Sequence, residues 1–419
     1  MKETPEHIEA VKSIQKKLLG KRLTYREIYT LMDEIAHDRL GDILTTYFVA
    51  SSFKEGFSPD ELYYLTKAMV ETGVQLHIDG VVADKHSTGG LAGTRTTMIV
   101  VPIVAAAGIY IPKTSSRAIT SPAGTADVME VIAPVTFSPH EIERMVHKVG
   151  GCIVWGGKLG IAPADDIIIE VEDELSFESY DKVIVSIMAK KVAVGANHLI
   201  LDIPVGKTMK IKHKTDAEKV AKKFLELGRR FNVDVEAYVN ESIEPAGKGI
   251  GPALEAVDVL QVLEQHPDRP MPLEEKALLL AGKLLNLCYK GENIKKDGYK
   301  EAQEILQSGR ALTKFREIVR EQKGHDDVTS KSLVPNVHKH EVLAGKHGII
   351  KHVNNINLNT VAKVLGAPAE KSAGLVLNHR ITDKVSKHEP LMTFYAKDKH
   401  KIKEALDTLV HIPIYEIET

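Results

Sequence analysis

The sequence predicts an α/β and α+β multidomain protein: a helical domain, a large mostly parallel α/β domain and a small C-terminal α+β domain. Three changes of texture predict it. The first seventy residues carry apolar side chains at helical spacing. From about residue 74, short aliphatic runs alternate with charged helical stretches, the signature of strands and crossover helices in a parallel sheet. After about residue 336, short strand-like segments surround one helical stretch. At 419 residues the chain can bury more than one core, so two or three domains are expected.

In the first region Ile8, Val11, Ile14 and Leu18 recur at spacings of three and four, which places them on one helix face. Thr24 with Glu27, and Ser58-Pro59 with Glu61, read as capping-box helix starts, and Gly73 as a helix stop. In the second region the runs MIVVPIVAAAGIYIP, GGCIVWGG and NHLILDIPVG read as the aliphatic strand-forming runs, and 214–230 and 252–265 as crossover helices. The segment EQHPDRPMP near 264–272 reads as an exposed connection. In the third, EVLAG, HGIIKHV, AGLVLNH, PLMTFYA and IPIYEI read as strands around a helix near 356–365, with the boundary near Ser332–Val337.

Composition narrows the function. With 55 basic and 57 acidic residues and a formal charge of −2, no broad nucleic-acid or membrane surface is expected. Cys152 and Cys288 are the only cysteines, too few for a disulfide framework or a cysteine zinc site. The polar start MKETPEHIEAVKSIQ lacks a signal-peptide core, and Met98 to Pro112 is short of a bilayer span, so a cytoplasmic protein is expected.

Chemistry concentrates in three segments. DKHSTGGLAGTRTT, Asp84 to Thr97, brings three glycines, five hydroxyls, Lys85 and Arg95 together. Running into a helix after Thr97, it has the makings of an anion site. It is neither a Walker loop nor a dinucleotide fingerprint. The one Gly-Lys-Thr, Gly206 to Thr208, has Leu201 where a Walker glycine belongs. Gly247-Lys248-Gly249-Ile250-Gly251 reads as a tight strand-to-helix turn. PKTSSRAITSPAGTAD, Pro112 to Asp127, surrounds Arg117 with hydroxyls after an apolar strand, where open α/β sheets bind ligands. SIMAKK, Ser186 to Lys191, read alone is a pair of surface lysines. Four histidines between His338 and His352 alternate with lysines and lack carboxylate or cysteine partners, so no metal site is expected.

KHSTGG, then SSRAIT-x-x-x-GTAD, then SIMAKK, in this order and spacing, resembles the thymidine phosphorylase family, pyrimidine-nucleoside and AMP phosphorylases, over essentially the whole chain. The wording SSRAITSPAGTAD resembles the branch of archaeal AMP phosphorylases and bacterial putative thymidine phosphorylases. The resemblance implies the nucleoside phosphorylase/phosphoribosyltransferase type of fold. It divides the chain into a dimerising helical domain (1–73 plus about 164–195), a phosphate-binding α/β domain (74–163 plus 196–335) and a C-terminal α+β domain (336–419). It implies phosphorolysis of the N-glycosidic bond of a nucleoside 5′-monophosphate or a nucleoside. Inorganic phosphate is the co-substrate, no cofactor or metal takes part, and a homodimer acts in the cytoplasm. Relatives in the AMP branch carry a further N-terminal domain; the present chain starts with the helical one, so a simple dimer is expected.

By the same resemblance Lys85, Ser87, Thr97, Ser115 and Thr125 fall at phosphate-binding positions, and His86, Ser186 and Lys190 at base- or sugar-contacting ones. Gly90, the stretch Ser116, Arg117, Ala118, Ile119, Thr120 and Ser121, then Thr125, Ser186 and Lys210 match nucleotide contacts. Glu178 stands where AMP phosphorylases place an aspartate proton donor. Lys85, His86, Glu178 and Lys190 are thus the expected catalytic set. Arg117, Lys210 and Arg95 are candidates for a 5′-phosphate pocket. The tyrosine and arginine that read a pyrimidine in thymidine phosphorylases are missing, since Ala164-Asp165-Asp166 runs into IIIEVEDE. Two other functions fit parts of the chain. An anthranilate phosphoribosyltransferase-like enzyme would need Asp165-Asp166 for magnesium, and a biotinyl- or lipoyl-type carrier would match the strand rhythm of the C-terminal region.

Overall fold

The computed structural model describes residues 4–419, apart from 90, 119–120, 158 and 176–178 and the side chains of 52–55, 173 and 175. The chain opens with four helices: α1 (Pro5–Leu18), α2 (Tyr25–Ala36), α3 (Gly41–Glu55) and α4 (Pro59–Glu71). Thr24 and Ser58 each accept from the backbone N–H three residues on, while Glu27 and Glu61 return the bond. Each such cap is worth about 1 kcal/mol. Lys17 of α1 reaches Glu61 of α4 at 2.9 Å with both side chains buried.

Next come β1 (Ala83–Ser87), α5 (Thr97–Ala106), β2 (Ile111–Ser115), α6 (Thr125–Met129), α7 (Pro139–Val149) and β3 (Gly151–Trp155). Two helices follow, α8 (Pro163–Leu175) and α9 (Tyr180–Ala193), and then β4 (His198–Val205), α10 (Lys214–Arg230) and β5 (Asp234–Glu241). Strands β1, β4 and β5 pair in parallel, as do β2 and β3. A parallel bridge between Val82 and Tyr110 joins the two groups in the order β3-β2-β1-β4-β5. Every carboxyl end therefore lies along one edge. Strand β4 is mostly aliphatic and buried along its whole length, as a parallel sheet covered on both faces requires.

The run Met98 to Pro112, read with the strand-forming segments, divides: as far as Ala106 it is the helix expected after Thr97, and only Ile111–Ser115, overlapping its end, forms a strand. Thr97 to Ala105 are all buried in α5. A helix covered on every side loses the 3.6-residue apolar period that would betray it.

The chain continues through β6 (Gly249–Ile250), α11 (Pro252–Leu263), α12 (Met271–Gly291), α13 (Gly298–Gln307) and α14 (Arg310–Glu321). The glycine cluster before α11 is the tight turn expected. Asp258 accepts from the N–H groups of Lys248 and Gly249 at 2.7 and 2.8 Å. A Cβ on Gly249 would meet the Leu254 carbonyl oxygen at 2.4 Å.

The last region comprises β7 (His338–Leu343), β8 (Gly348–Val353), α15 (Asn355–Leu365), β9 (Gly374–Leu377), β10 (Lys384–Val385), β11 (Pro390–Ala396), α16 (Lys399–His411) and β12 (Tyr415–Glu418). Helix α16 was not expected. Only Ile402 and Ala405 on it are buried, too thin a stripe to stand out among its lysines. Strands β6, β9, β11 and β7 form one antiparallel sheet, which welds this region to the turn before α11.

The return of the chain to its N-terminal helices places the site. Helix α8 packs on α2 and α3, and α9 on α4. Ile168, Val171, Val185 and Ala189 share a core with Leu31, Leu65 and Met69. Helix α9 then leads into β4, beside β1, so its C-terminal lysines reach the sheet.

Candidate active site

The site is built on the carboxyl edge of the sheet. Residues 88–96 form a first loop between β1 and α5, and 116–124 a second between β2 and α6. Lys85 is 2% exposed, and its Nζ donates to Thr97 Oγ1 at the first residue of α5, 3.3 Å away. Burial lowers the Lys85 ammonium to about 8; nearby Asp202 opposes that, while Lys276 and Arg95 add to it. At neutral pH it is a charged group held at an energetic cost that a bound anion would relieve.

The two loops are tied together by Arg95. Its guanidinium donates to Glu255 Oε2 at 2.8 Å, to Thr125 Oγ1 at 3.1 Å and to the Ala123 carbonyl at 2.9 Å. The second loop is drawn over Asp127, which accepts from the backbone N–H groups of Ala118 at 2.6 Å and Gly124 at 2.9 Å. Burial alone would raise this carboxyl, but those two bonds and Lys371 hold it below its ordinary value. A Cβ on Gly124 would meet backbone atoms of Ser116, Arg117 and Ala118 at 2.5–2.6 Å, so only glycine lets the loop close. Ser121 Oγ donates to the Ala123 carbonyl, and the Ser116 carbonyl accepts from Ala126 N–H.

Around these loops the buried hydroxyls of Thr88, Thr96 and Ser115 have no hydrogen-bond partner among the described residues. An unsatisfied buried hydroxyl costs about 1–3 kcal/mol, so orphans gathered at two strand ends point to a ligand with acceptor oxygens. Ser87 Oγ, on the same edge, donates to Asp202 Oδ2 at 3.1 Å. Asp202 in turn is held by Asn240 at 2.7 Å and Lys276 at 3.2 Å.

Helix α9 supplies the opposite wall. Ser186 Oγ and Lys190 Nζ each lie 2.7 Å from Asp165 Oδ2, on the first turn of α8. Burial works against the Lys190 charge, but Asp165 and Asp166 outweigh it and raise its pKa. Lys191 turns the other way, into the sheet. It meets Asp84 of β1 at 2.7 Å, and Lys113 of β2 meets the same carboxylate at 3.4 Å. His86 stands among these cations. Burial first, then Lys191, Lys113, Lys85 and Lys190, push its pKa well below the ordinary 6.5. It is therefore a neutral imidazole near pH 7, able to donate one N–H and accept at the other nitrogen.

The structure thus gathers Lys85, His86, Ser87, Thr97, Ser115, Ser116, Ala118, Ser121 and Thr125 on one sheet edge, with Ser186 and Lys190 on the facing helix. Arg117 is spoken for. It grips Glu130 at 2.6 Å through both terminal nitrogens and lies 4.8 Å over the Trp155 ring. Lys210 is exposed on the turn after β4. Gly90, Ile119, Thr120 and Glu178 lie outside the described residues. Sequence reasoning missed Asp127, Asp165, Asp202 and Lys276. Asp202 left a trace, as a lone carboxylate inside the aliphatic run NHLILDIPVG. Lys276, in a long helix rich in lysine and glutamate, left none. Asp165 and Asp166, considered as a magnesium pair, instead lie 2.7 and 3.6 Å from Lys190. Among the described residues no group of three or more His, Cys, Asp or Glu side chains could hold a metal ion.

Three family models match in the order of these regions. They are the glycosyl transferase family helical bundle domain over 11–73, the glycosyl transferase family a/b domain over 79–312, and the pyrimidine nucleoside phosphorylase C-terminal domain over 349–413. An AMP phosphorylase of Methanococcoides burtonii is 41% identical over 97% of this chain and 80% of its own length. The chain belongs to the thymidine phosphorylase family. Within that family, a putative thymidine phosphorylase of Legionella pneumophila (strain Corby) is 40% identical over 97% of this chain and 77% of its own. An AMP phosphorylase of Methanococcus vannielii is 43% identical over 96% and 79%. Among solved structures, anthranilate phosphoribosyltransferase from Thermus thermophilus covers 74% of this chain and 99% of its own, with a TM-score of 0.63 and 19% identity. That likeness concerns the fold. No described helix is long and apolar enough to cross a membrane.

Proposed function

We infer that the protein is a pentosyltransferase that phosphorolyses the N-glycosidic bond of a nucleoside 5′-monophosphate, AMP-like, giving free base and a pentose 1-phosphate. The observation that carries the reading is a pair of Gly-, Ser- and Thr-rich loops at the carboxyl ends of β1 and β2. Beside them stand a buried cation, Lys85, and hydroxyls that have no partner among the described residues, opposite Ser186 and Lys190. Thymidine or pyrimidine-nucleoside phosphorolysis is the second reading, favoured by the relatives of that name.

In the proposed reaction an oxygen of inorganic phosphate, held by Lys85, Ser87, Thr97, Ser115 and Thr125, forms a bond to C1′. The bond from C1′ to the base nitrogen breaks, and the base leaves with the electron pair. Holding a dianion beside the developing positive charge at C1′ stabilises the transition state and fixes the angle of attack. The departing base needs a proton or strong hydrogen bonds. Lys190, kept charged by Asp165, and the neutral N–H of His86 suit a carbonyl oxygen. Glu178, protonated, suits a purine nitrogen.

The carboxylates of α8 face the lysines of α9, with Glu172 at 3.3 Å from Lys182 and Asp165 at 2.7 Å from Lys190. That wall presents no arginine to a pyrimidine. We assign 1–73 with about 164–195 to a dimerising helical domain, 74–163 with 196–335 to the phosphate-binding domain, and 336–419 to the C-terminal domain. A homodimer is supported by Leu19, Ile43 and Tyr47, 73%, 75% and 54% exposed on the N-terminal helices. The protein is read as acting in the cytoplasm with phosphate as co-substrate and no cofactor.

The test is phosphate-dependent base release from AMP, CMP, UMP, adenosine, uridine and thymidine side by side. Release from AMP ahead of the nucleosides is expected. Release from thymidine or uridine alone would transfer the assignment to the second reading, and no release from any would remove both.

A further inference from the structure

The second loop is held from two sides, and only one of them belongs to its own domain. Asp127 Oδ2 accepts from the N–H groups of Ala118 at 2.6 Å and Gly124 at 2.9 Å, toward opposite ends of the loop. Its other oxygen, Oδ1, faces two cations, Arg117 at 3.3 Å and Lys371 at 3.1 Å. Both cations also reach Glu130, Arg117 at 2.6 Å and Lys371 at 2.9 Å. Lys371 lies between α15 and β9, 244 residues along the chain from Asp127, and the reaction scheme above gives it no part.

The backbone of Lys371 is anchored where the C-terminal domain meets the turn before α11. Its carbonyl accepts from Ala253 N–H at 3.0 Å, and β9 pairs with β6 through Val376 with Gly249 and Leu375 with Ile250. Gly251 has a φ of 117°, and a Cβ there would run into the Ala373 carbonyl oxygen, so glycine is what permits this approach. The Lys371 and Glu130 side chains are 35% and 32% exposed, but Asp127 is 4% exposed. Ion pairs on an open surface are weak. These bear on a buried carboxylate, whose lost partner water cannot replace. Without Lys371 the described residues leave Arg117 alone against both carboxylates. The surplus negative charge would lie two residues from Thr125, where it repels an incoming dianion and frees the oxygen that shapes the loop to turn away.

We propose that Lys371 of the C-terminal domain is a positioning residue for the co-substrate: through Asp127 it holds the second loop in the shape that receives inorganic phosphate. The assignment rests on the phosphorolysis reading above. It makes the affinity for phosphate depend on a docked C-terminal domain, although Lys371 touches neither substrate. The test compares the full chain with its single variants Lys371→Met, Lys371→Gln and Lys371→Arg. Base release is followed from AMP, or from thymidine if the wild type cleaves only that, and the KM of inorganic phosphate and of the base-bearing substrate are measured separately. Each neutral variant should raise the phosphate KM roughly tenfold, with kcat and the other KM within about twofold of wild type. Arginine restores the charge and should return the phosphate KM to within about threefold. Two neutral side chains are used so that, if one variant does not fold, the other still reads the effect. A phosphate KM within about twofold of wild type in the neutral variants overturns the proposal. So does a KM for the base-bearing substrate that rises as far as that of phosphate, the mark of a site loosened throughout. An arginine variant as impaired as the neutral ones overturns it too. A wild type that releases base from neither AMP nor thymidine with phosphate refutes the reaction itself, before any variant is made.

Discussion

Replacing Lys85 by methionine should abolish phosphorolysis and, at neutral pH, make the protein more stable. The lysine is 2% exposed and its ammonium is lowered to about 8, whereas the unfolded chain titrates near the ordinary 10.5. Below pH 8 both states carry the proton, so the folded state bears the whole cost of the buried charge. The drop in proton affinity corresponds to about 3 kcal/mol. As pH rises from about 8 to 10.5 the folded state gives up its proton first, and the cost is progressively relieved. Methionine has a similar length and no charge, and Asp202 keeps Lys276, Asn240 and Ser87 as partners, so no orphaned carboxylate offsets the gain. The expected result at pH 7 is a urea midpoint shifted upward, equivalent to about 1–3 kcal/mol, that converges on wild type near pH 10. In wild type the KM for phosphate should rise as pH passes about 8, because the cation that holds the anion is being lost. A variant less stable than wild type at pH 7, or one that keeps near-wild-type turnover, would refute the claim that this buried charge is kept for the anion at the expense of the fold.

Asp84→Asn should destabilise by about 3–5 kcal/mol, because Lys191 and Lys113 would share no buried carboxylate; denaturant titration at pH 7 measures it, and a loss under about 1 kcal/mol would contradict the pairing. Gly124→Ala should raise the KM for phosphate by roughly tenfold or more, since its Cβ meets three backbone atoms at 2.5–2.6 Å and displaces Thr125. An unchanged phosphate KM in the folded variant would show that the second loop does not carry the anion.

The local chemistry was legible in the chain itself. Capping boxes at Thr24 and Ser58 depend on residues three apart, and the clustering of Gly, Ser and Thr after β1 and β2 follows from what an anion needs near a strand end. KHSTGG and SSRAIT carry such information because backbone N–H groups and hydroxyls act over a few residues; SIMAKK, read alone as surface lysines, does not, since its lysines meet Asp165 and Asp84 only in the fold. Tertiary structure decided what depends on neighbours from far along the chain. Thr97 to Ala106 is a helix because α12 and α14 cover it, and covering erases the period that sequence reading relies on. Asp165 became the partner of Ser186 and Lys190, and Asp202 that of Ser87 and Lys276, only when α8, α9, β4 and α12 met at one sheet edge. Arg117, rich in promise beside six hydroxyls, spends its charge on Glu130. A charged side chain's role is set by the nearest opposite charge in space, and spacing along the chain does not encode that distance.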